Sequence, residues 1–340
     1  MVNGSWNGGR PGVQTLLMLA MPLNVSLLRA LAEGTGRQTD LRRAAGMPAQ
    51  TTLRDHLRQL AGVGVIARHR RNAFPGALEF ELTGAGRDLL EVMAALEAWL
   101  AAAPDGPLAL GGAAAKAAIK ALAESWSSTI LRALAAGPLS LTELDRLIGA
   151  LNYPSLERRL AAMRLAGQIE ARPSDGRGTP YAITVWLRQG VAPIAGSIHW
   201  ESRHLAGATP PLGQLDAEAT FLLSAPLLRL PAEFAGSCRL AVEVSNGHKH
   251  SLAGVVVETN AGRVLSCTTQ LQGCPDAWMS GTSAAWLAAL TDADASGLQL
   301  GGDTGLGRAL LDSLHRALFD FDAQCPRTVW PGADPDVSDG

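Results

Sequence analysis

Apolar residues in the first half of this chain return mainly at intervals of three and four, interrupted by short stretches of strict alternation. From Val25 to Glu33 a leucine- and alanine-rich run ends at Gly34, the pattern of a helix closed by glycine. A short helical segment around Leu41 follows, with Thr39 or Asp40 as the expected N-cap and Leu41 facing inward. MPAQ (Met47–Gln50) reads as a turn. Leu53, Leu57 and Leu60 then stand at i, i+4 and i+7, a stripe that must pack on the two preceding helices. Gln50, Thr51, Arg54, Asp55 and Arg58 fall on the opposite face. After Gly62–Gly64 the period changes to two. VIARHRR reads as a strand, NAFPG as a turn, and EFELT as a returning strand with Phe80 and Leu82 inward and Glu79 and Glu81 outward.

The same order of signals returns about a hundred residues later. LLRALAEG (Leu27–Gly34) aligns with ILRALAAG (Ile130–Gly137) at an offset of 103. That offset also pairs Thr39, Leu41 and Arg43 with Thr142, Leu144 and Arg146, and Leu53, Leu57, Gly64 and Ile66 with Leu156, Leu160, Gly167 and Ile169. EFELT then aligns with PYAIT (Pro180–Thr184) at 101, two residues having gone from the intervening segment. A register held this long points to an internal duplication. Each copy reads helix–helix–helix–hairpin, the winged helix-turn-helix arrangement.

Beyond the linker GATPPLG (Gly207–Gly213) the pattern is different. RLAVEV (Arg239–Val244) alternates, LAGVVVE (Leu252–Glu258) is more apolar, and NAGRVLSC (Asn260–Cys267) is a turn into a third strand. SGTSAAWLAALTD reads as a helix capped by Ser280 or Thr282. LQLGGD is a short strand, and GLGRALLDSLHRALFDF is an amphipathic helix with Leu306, Leu310, Leu314 and Leu318 at four-residue spacing. Strands followed by helices argue an α+β layer. The expected fold class is mainly α with an α+β C-terminal domain, divided as winged helix 14–103, winged helix 112–206 and a sheet-and-helix domain 214–325.

Composition sharpens this division. Of 340 residues 47% are hydrophobic, enough for several cores. The net charge of −2 conceals an asymmetry. Basic and acidic residues number eleven and nine in 1–105, eleven and seven in 106–207, but seven and fifteen in 208–340. The front is thus the part suited to a polyanion. The apolar run Val13–Leu23 is too short to span a bilayer and is broken by Pro22, so it reads as the first helix of a domain. Four cysteines without a CxxC pair fit a reduced, cytoplasmic protein.

Residues 14–101 resemble the HxlR-type winged-helix transcriptional regulators. The resemblance rests on LLRALAEG, on LRDHLRQLAGVGVIARHRR, and on FELTGAGRDLLEVMAALEAW with its strand-to-helix step and Trp99. It implies a bacterial-type regulator that binds double-stranded DNA. The cysteine often found ahead of the first helix in that family is absent here, and two such units stand in one chain where the family usually has one that dimerises. The expected state is a monomeric pseudo-dimer or a homodimer. The second unit keeps Trp126 ahead of its helix, but AITVWLR lacks the TxxGxxL step. The pattern of GTxxAWLAAL and LxLGGD over about residues 215–322 resembles the sterol-carrier-protein type 2 fold. That resemblance implies an apolar tunnel for a hydrophobic effector, lined by Trp278, Trp286, Leu287, Leu310 and Leu314.

A third helix of this kind can enter the major groove, where Gln50, Thr51, Arg54 and Arg58 would reach bases or phosphates. Arg68, Arg70 and Arg71 of the hairpin, with His69 between, would track the backbone. Tyr153, Ser155, Arg158, Arg159, Arg172 and Arg177 hold related places in the second unit. GGDTGLGRA (Gly301–Ala309) has glycines at a P-loop separation, but Arg308 and Ala309 replace its Lys and Ser/Thr. HKH (His248–His250) offers two ligands without a companion, so no metal or cofactor is expected. No nucleophile–base grouping assembles, which argues against an enzyme. The alternative is a hydrophobic-ligand carrier or sequestering protein whose winged helices serve assembly.

Overall fold

The computed structural model describes residues 10–70, 78–149, 151–173, 178–205, 211–246 and 249–320, and the architecture is mixed α/β. The apolar run at the start forms two helices, α1 (Val13–Leu19) and α2 (Pro22–Ala32), meeting at 80°. Pro22 starts the second helix at a position where its missing N–H costs nothing. No single helix among the described residues is long and apolar enough to cross a membrane. Next come α3 (Gln38–Ala44), α4 (Gln50–Gly62), the hairpin β1 (Ile66–Arg70) and β2 (Leu78–Leu82), and α5 (Gly84–Ala101). Leu41, Leu53, Leu57, Leu60 and Phe80 are all buried. The N-cap of α3 is Arg37, with no side-chain bond, while Thr39 and Asp40 lie in the first turn. The chain is fixed two residues before Thr39: Phe80 N–H donates to Gly36 O and Arg37 bridges to Glu79 of β2.

The next stretch comprises α6 (Ala113–Ser125), α7 (Thr129–Ala136), β3 (Leu139–Ser140), α8 (Leu141–Leu147), α9 (Tyr153–Leu165), β4 (Ile169–Ala171), β5 (Pro180–Ile183), α10 (Val185–Gln189) and α11 (Val191–His204). The α8 and α9 helices have the lengths of α3 and α4, seven and thirteen residues, and start 103 residues after them. Thr83 and Thr184 play the same part at the hairpin exits. Each hydroxyl accepts from an N–H three residues on, at Gly86 or Leu187, and donates to a carbonyl at the preceding helix end, Gly64 (2.6 Å) or Gly167 (2.9 Å). The units diverge beyond that point. A Cβ on Gly86 would lie 2.2 Å from Val65 O, so glycine is required there, whereas Leu187 stands at the matching place and the helix is interrupted at Gly190.

The two stretches are joined by α5 packed along α11. Trp99 and Trp186 stack with ring centroids 4.4 Å apart, and each indole N–H donates to the other's backbone carbonyl, at 2.8 and 2.7 Å. Trp200 donates to Ala85 O at 2.8 Å. The buried Glu201 of α11 accepts from Gly12 N–H (2.7 Å), Thr15 N–H (3.1 Å) and Thr15 Oγ1 (2.8 Å), supplying from another helix the cap that α1 lacks.

The remaining elements are α12 (Gln214–Ser224), a 3-10 turn (Ala225–Leu227), β6 (Gly236–Asn246), β7 (Lys249–Asn260), β8 (Arg263–Thr268), β9 (Ala277–Thr282), α13 (Ser283–Thr291), β10 (Gln299–Gly302) and α14 (Thr304–Phe319). The sheet order is β10-β9-β6-β7-β8, with β6 and β9 parallel and the other pairs antiparallel. Of the two expected caps, Ser280 and Thr282, it is Thr282 that caps α13, and Ser280 lies in the strand AWMSGT. Its burial alternates from Ala277 to Thr282, the period of two that the residue types conceal. This part is tied to the second stretch by Arg132 Nε, 2.9 Å from the buried Glu218 Oε2, and by Arg188, which donates to Leu222 O at 3.1 Å.

Candidate nucleic-acid interface

The α4 helix is held by three leucines on one side and leaves Gln50, Thr51, Arg54, Asp55 and Arg58 exposed on the other. Its N-cap is Ala49, which has no side-chain acceptor. The first-turn N–H groups and the positive end of the helix dipole are thus open to an anion. Arg54 makes no ion pair among the described residues, whereas Arg58 is engaged with Asp55 at 2.7 Å. Arg54 and Gln50 border a groove of about 470 Å³ that also takes in Arg37, Arg42 and Arg43 from the start and body of α3. Arg42 is aimed by donating to Pro48 O (2.9 Å), Arg43 pairs with Asp40 (3.2 Å), and Arg37 lies 3.6 Å from Glu79. These three arginines were not among the sequence candidates. Their signal was present as three cations within seven residues of a short helix.

The hairpin supplies less free charge than its sequence suggests. Arg68 is exposed and stands across from Phe80, while His69 Nε2 lies 2.6 Å from Glu81 Oε1 on the other face. Arg70 ends β1, opposite Leu78, and Arg71 lies outside the described residues.

The matching face of the second stretch is built differently. Here α9 is capped by Asn152, whose side chain accepts from Ser155 N–H at 3.0 Å, and α8 has a full capping box between Ser140 and Glu143. Serine bonding holds the Glu143 carboxyl below its ordinary range. Tyr153 and Arg159 are exposed, and Arg158 lies 3.5 Å from the half-buried Ser155 Oγ. Arg172 pairs with Glu170 at 2.6 Å, and Arg177 lies outside the described residues. At the places of Arg54 and Asp55 this helix carries Glu157 and Arg158, the opposite order of charge.

The residues expected to line an apolar tunnel are only partly brought together. Trp286 and Leu287 border a space of about 30 Å³ shared with Phe221 and Val242, room for about one water molecule. Leu310 and Leu314 are fully buried along α14. Trp278 lies in β9 against Gly301, where a Cβ would sit 2.4 Å from its ring. At the glycine-rich turn before α14, Asp303 Oδ1 accepts from the N–H groups of Gly305 and Leu306, both at 3.0 Å, occupying the place a phosphate would need. Burial pushes the Cys238 and Cys267 thiols up to about 12, which disfavours the thiolate at both. His248 of the HKH run lies outside the described residues.

Residues 23–105 match the family model described as HxlR-like helix-turn-helix. Over 90 residues the chain is 33% identical to an uncharacterized HTH-type transcriptional regulator, YtfH, of Escherichia coli (strain K12), covering 26% of this chain and 71% of that protein. An identically named protein of Shigella flexneri matches with the same identity and coverage.

Proposed function

The chain belongs to the HxlR-like helix-turn-helix family, and from that premise we propose that it is a transcriptional regulator that reads double-stranded DNA. The observation that carries the reading is the uncapped start of α4, with Arg54, which has no ion pair among the described residues, beside the groove of α3 arginines. Phosphates would meet Arg42, Arg43 and the α4 N-terminus, leaving Gln50, Thr51 and Arg54 for base edges.

Residues 112–206 form a second winged helix, and the two act as a covalent pseudo-dimer. Support comes from the contacts between α5 and α11. Trp99 and Trp200 stand 101 residues apart, as do Ala85 and Trp186, and each of the first pair donates to the carbonyl of the other's counterpart. Such reciprocity is the mark of a two-fold contact. Because α9 is self-capped and carries the reversed charge order, its half-site would differ from that of α4. The C-terminal sheet and helices serve as a sterol-carrier-like regulatory part. The strand order β10-β9-β6-β7-β8 with one parallel pair supports this, and a hydrophobic effector would have to part α12 from α13 to enter.

The test is selection of bound duplexes from a random library, followed by anisotropy titration of the recovered sequence. Arg54→Glu should weaken binding by about 1–3 kcal/mol or more, and Arg68→Glu should weaken it while lowering the salt dependence. Unchanged binding by Arg54→Glu would overturn the reading of α4.

A further inference from the structure

A cavity of about 310 Å³ lies where α5, α11, the end of α13 and the end of α14 meet. It is larger than the apolar space beside Trp286 and is bounded by all three parts of the chain. Its size and its place at a junction of units are those of small-ligand sites. Val92, Ala95 and Trp200 form an apolar wall, and Phe319 closes one side.

The polar lining has one dominant sign. Asp88, Glu91 and Asp292 face Arg203 as the one guanidinium. Asp88 Oδ2 lies 2.8 Å from His204 Nε2 and 3.8 Å from Arg203. Glu91 is exposed and has no ion pair among the described residues. His199 is largely buried, and burial lowers its pKa, favouring the neutral ring. Its Nε2 lies 3.2 Å from Asp292 Oδ2, and its Nδ1 has no hydrogen-bond partner among the described residues. Buried polar atoms left in this way are costly unless something meets them. The site thus combines surplus carboxylate charge, an unsatisfied imidazole and a flat indole wall.

We propose that this cavity binds a small organic cation with a planar apolar body, an arylalkylamine in chemical class. The ammonium lies between Glu91 and Asp292 with His199 as a neutral acceptor, and the ring lies against Trp200 and Val92. The inference stands whether or not the chain reads DNA, since none of these residues lies on the α3–α4 face.

Calorimetric titration of the full chain with phenethylamine, 2-phenylethanol and phenylacetate tests it, because the three share a ring and differ in charge. Phenethylamine should bind saturably, about tenfold or more tighter than the other two. The double variant Glu91→Gln/Asp292→Asn should remove that preference, whereas Glu124→Gln, an exposed carboxylate on α6, should leave it intact. Equal affinity for the three compounds overturns the proposal. So does the absence of saturable binding at millimolar concentration, or a preference that survives in the double variant.

Discussion

His199 is a largely buried imidazole packed where three helices meet, and desolvation is the main cause of its lowered pKa. Asp292 and Asp88 pull the other way and Arg203 reinforces the lowering, but burial prevails. A folded pKa below 6.5 means that the unfolded chain binds the proton more readily. The stability this group contributes is therefore present above pH 6.5 and lost as pH falls through the lowered folded value. His56 is shifted in the same direction, also by burial, and its Nδ1 lies 2.7 Å from Asn24 Oδ1. His199→Gln is expected to flatten the fall in melting temperature on acidification below pH 6.5, measured against the parent in matched buffers. An unchanged acid limb would show that His199 does not titrate in this way.

At the scale of elements, the ends of helices distinguish parts that share a frame. The α3 and α4 helices start without side-chain caps, whereas α8 and α9 satisfy their own first turns. The α1 helix is capped from outside by Glu201. Glu201→Leu should leave two buried N–H groups and the Thr15 hydroxyl without an acceptor. A loss of about 2–3 kcal/mol is expected from urea unfolding; Ser140→Ala, which opens only the half-buried capping box of α8, should cost about 1 kcal/mol. A Glu201→Leu loss no larger than that of Ser140→Ala would mean that α1 is held by apolar packing alone. Leucine spacing made α4, α9 and α14 readable from the chain, since i, i+4 contacts need only a local period. It could not reveal that β9 is a strand, because the buried positions there are Ala277, Met279 and Gly281 while Trp278 lies on the other face, so residue type does not follow burial. Nor could it reveal the caps supplied across helices, which join residues nearly two hundred positions apart.

For the whole molecule, the proposed pseudo-dimer would use the contact between α5 and α11 in place of one between two chains. The protein is expected to run as a single chain in light scattering after gel filtration, and to bind its selected duplex one to one. A stable dimer in the absence of DNA would place the two-fold axis elsewhere. The chain by itself determined the helical frames, the hairpins, the recurrence of residue types at an offset of 103 and the acidic C-terminal third, all of which can be read along the chain without knowing how its elements pack. Tertiary structure alone decided that Arg54 has no ion pair among the described residues while Arg58 is engaged, that Trp99 lies on Trp186, and that three carboxylates surround one cavity. Such pairings depend on how separate helices approach one another, and a local hydrophobic period carries no record of that approach.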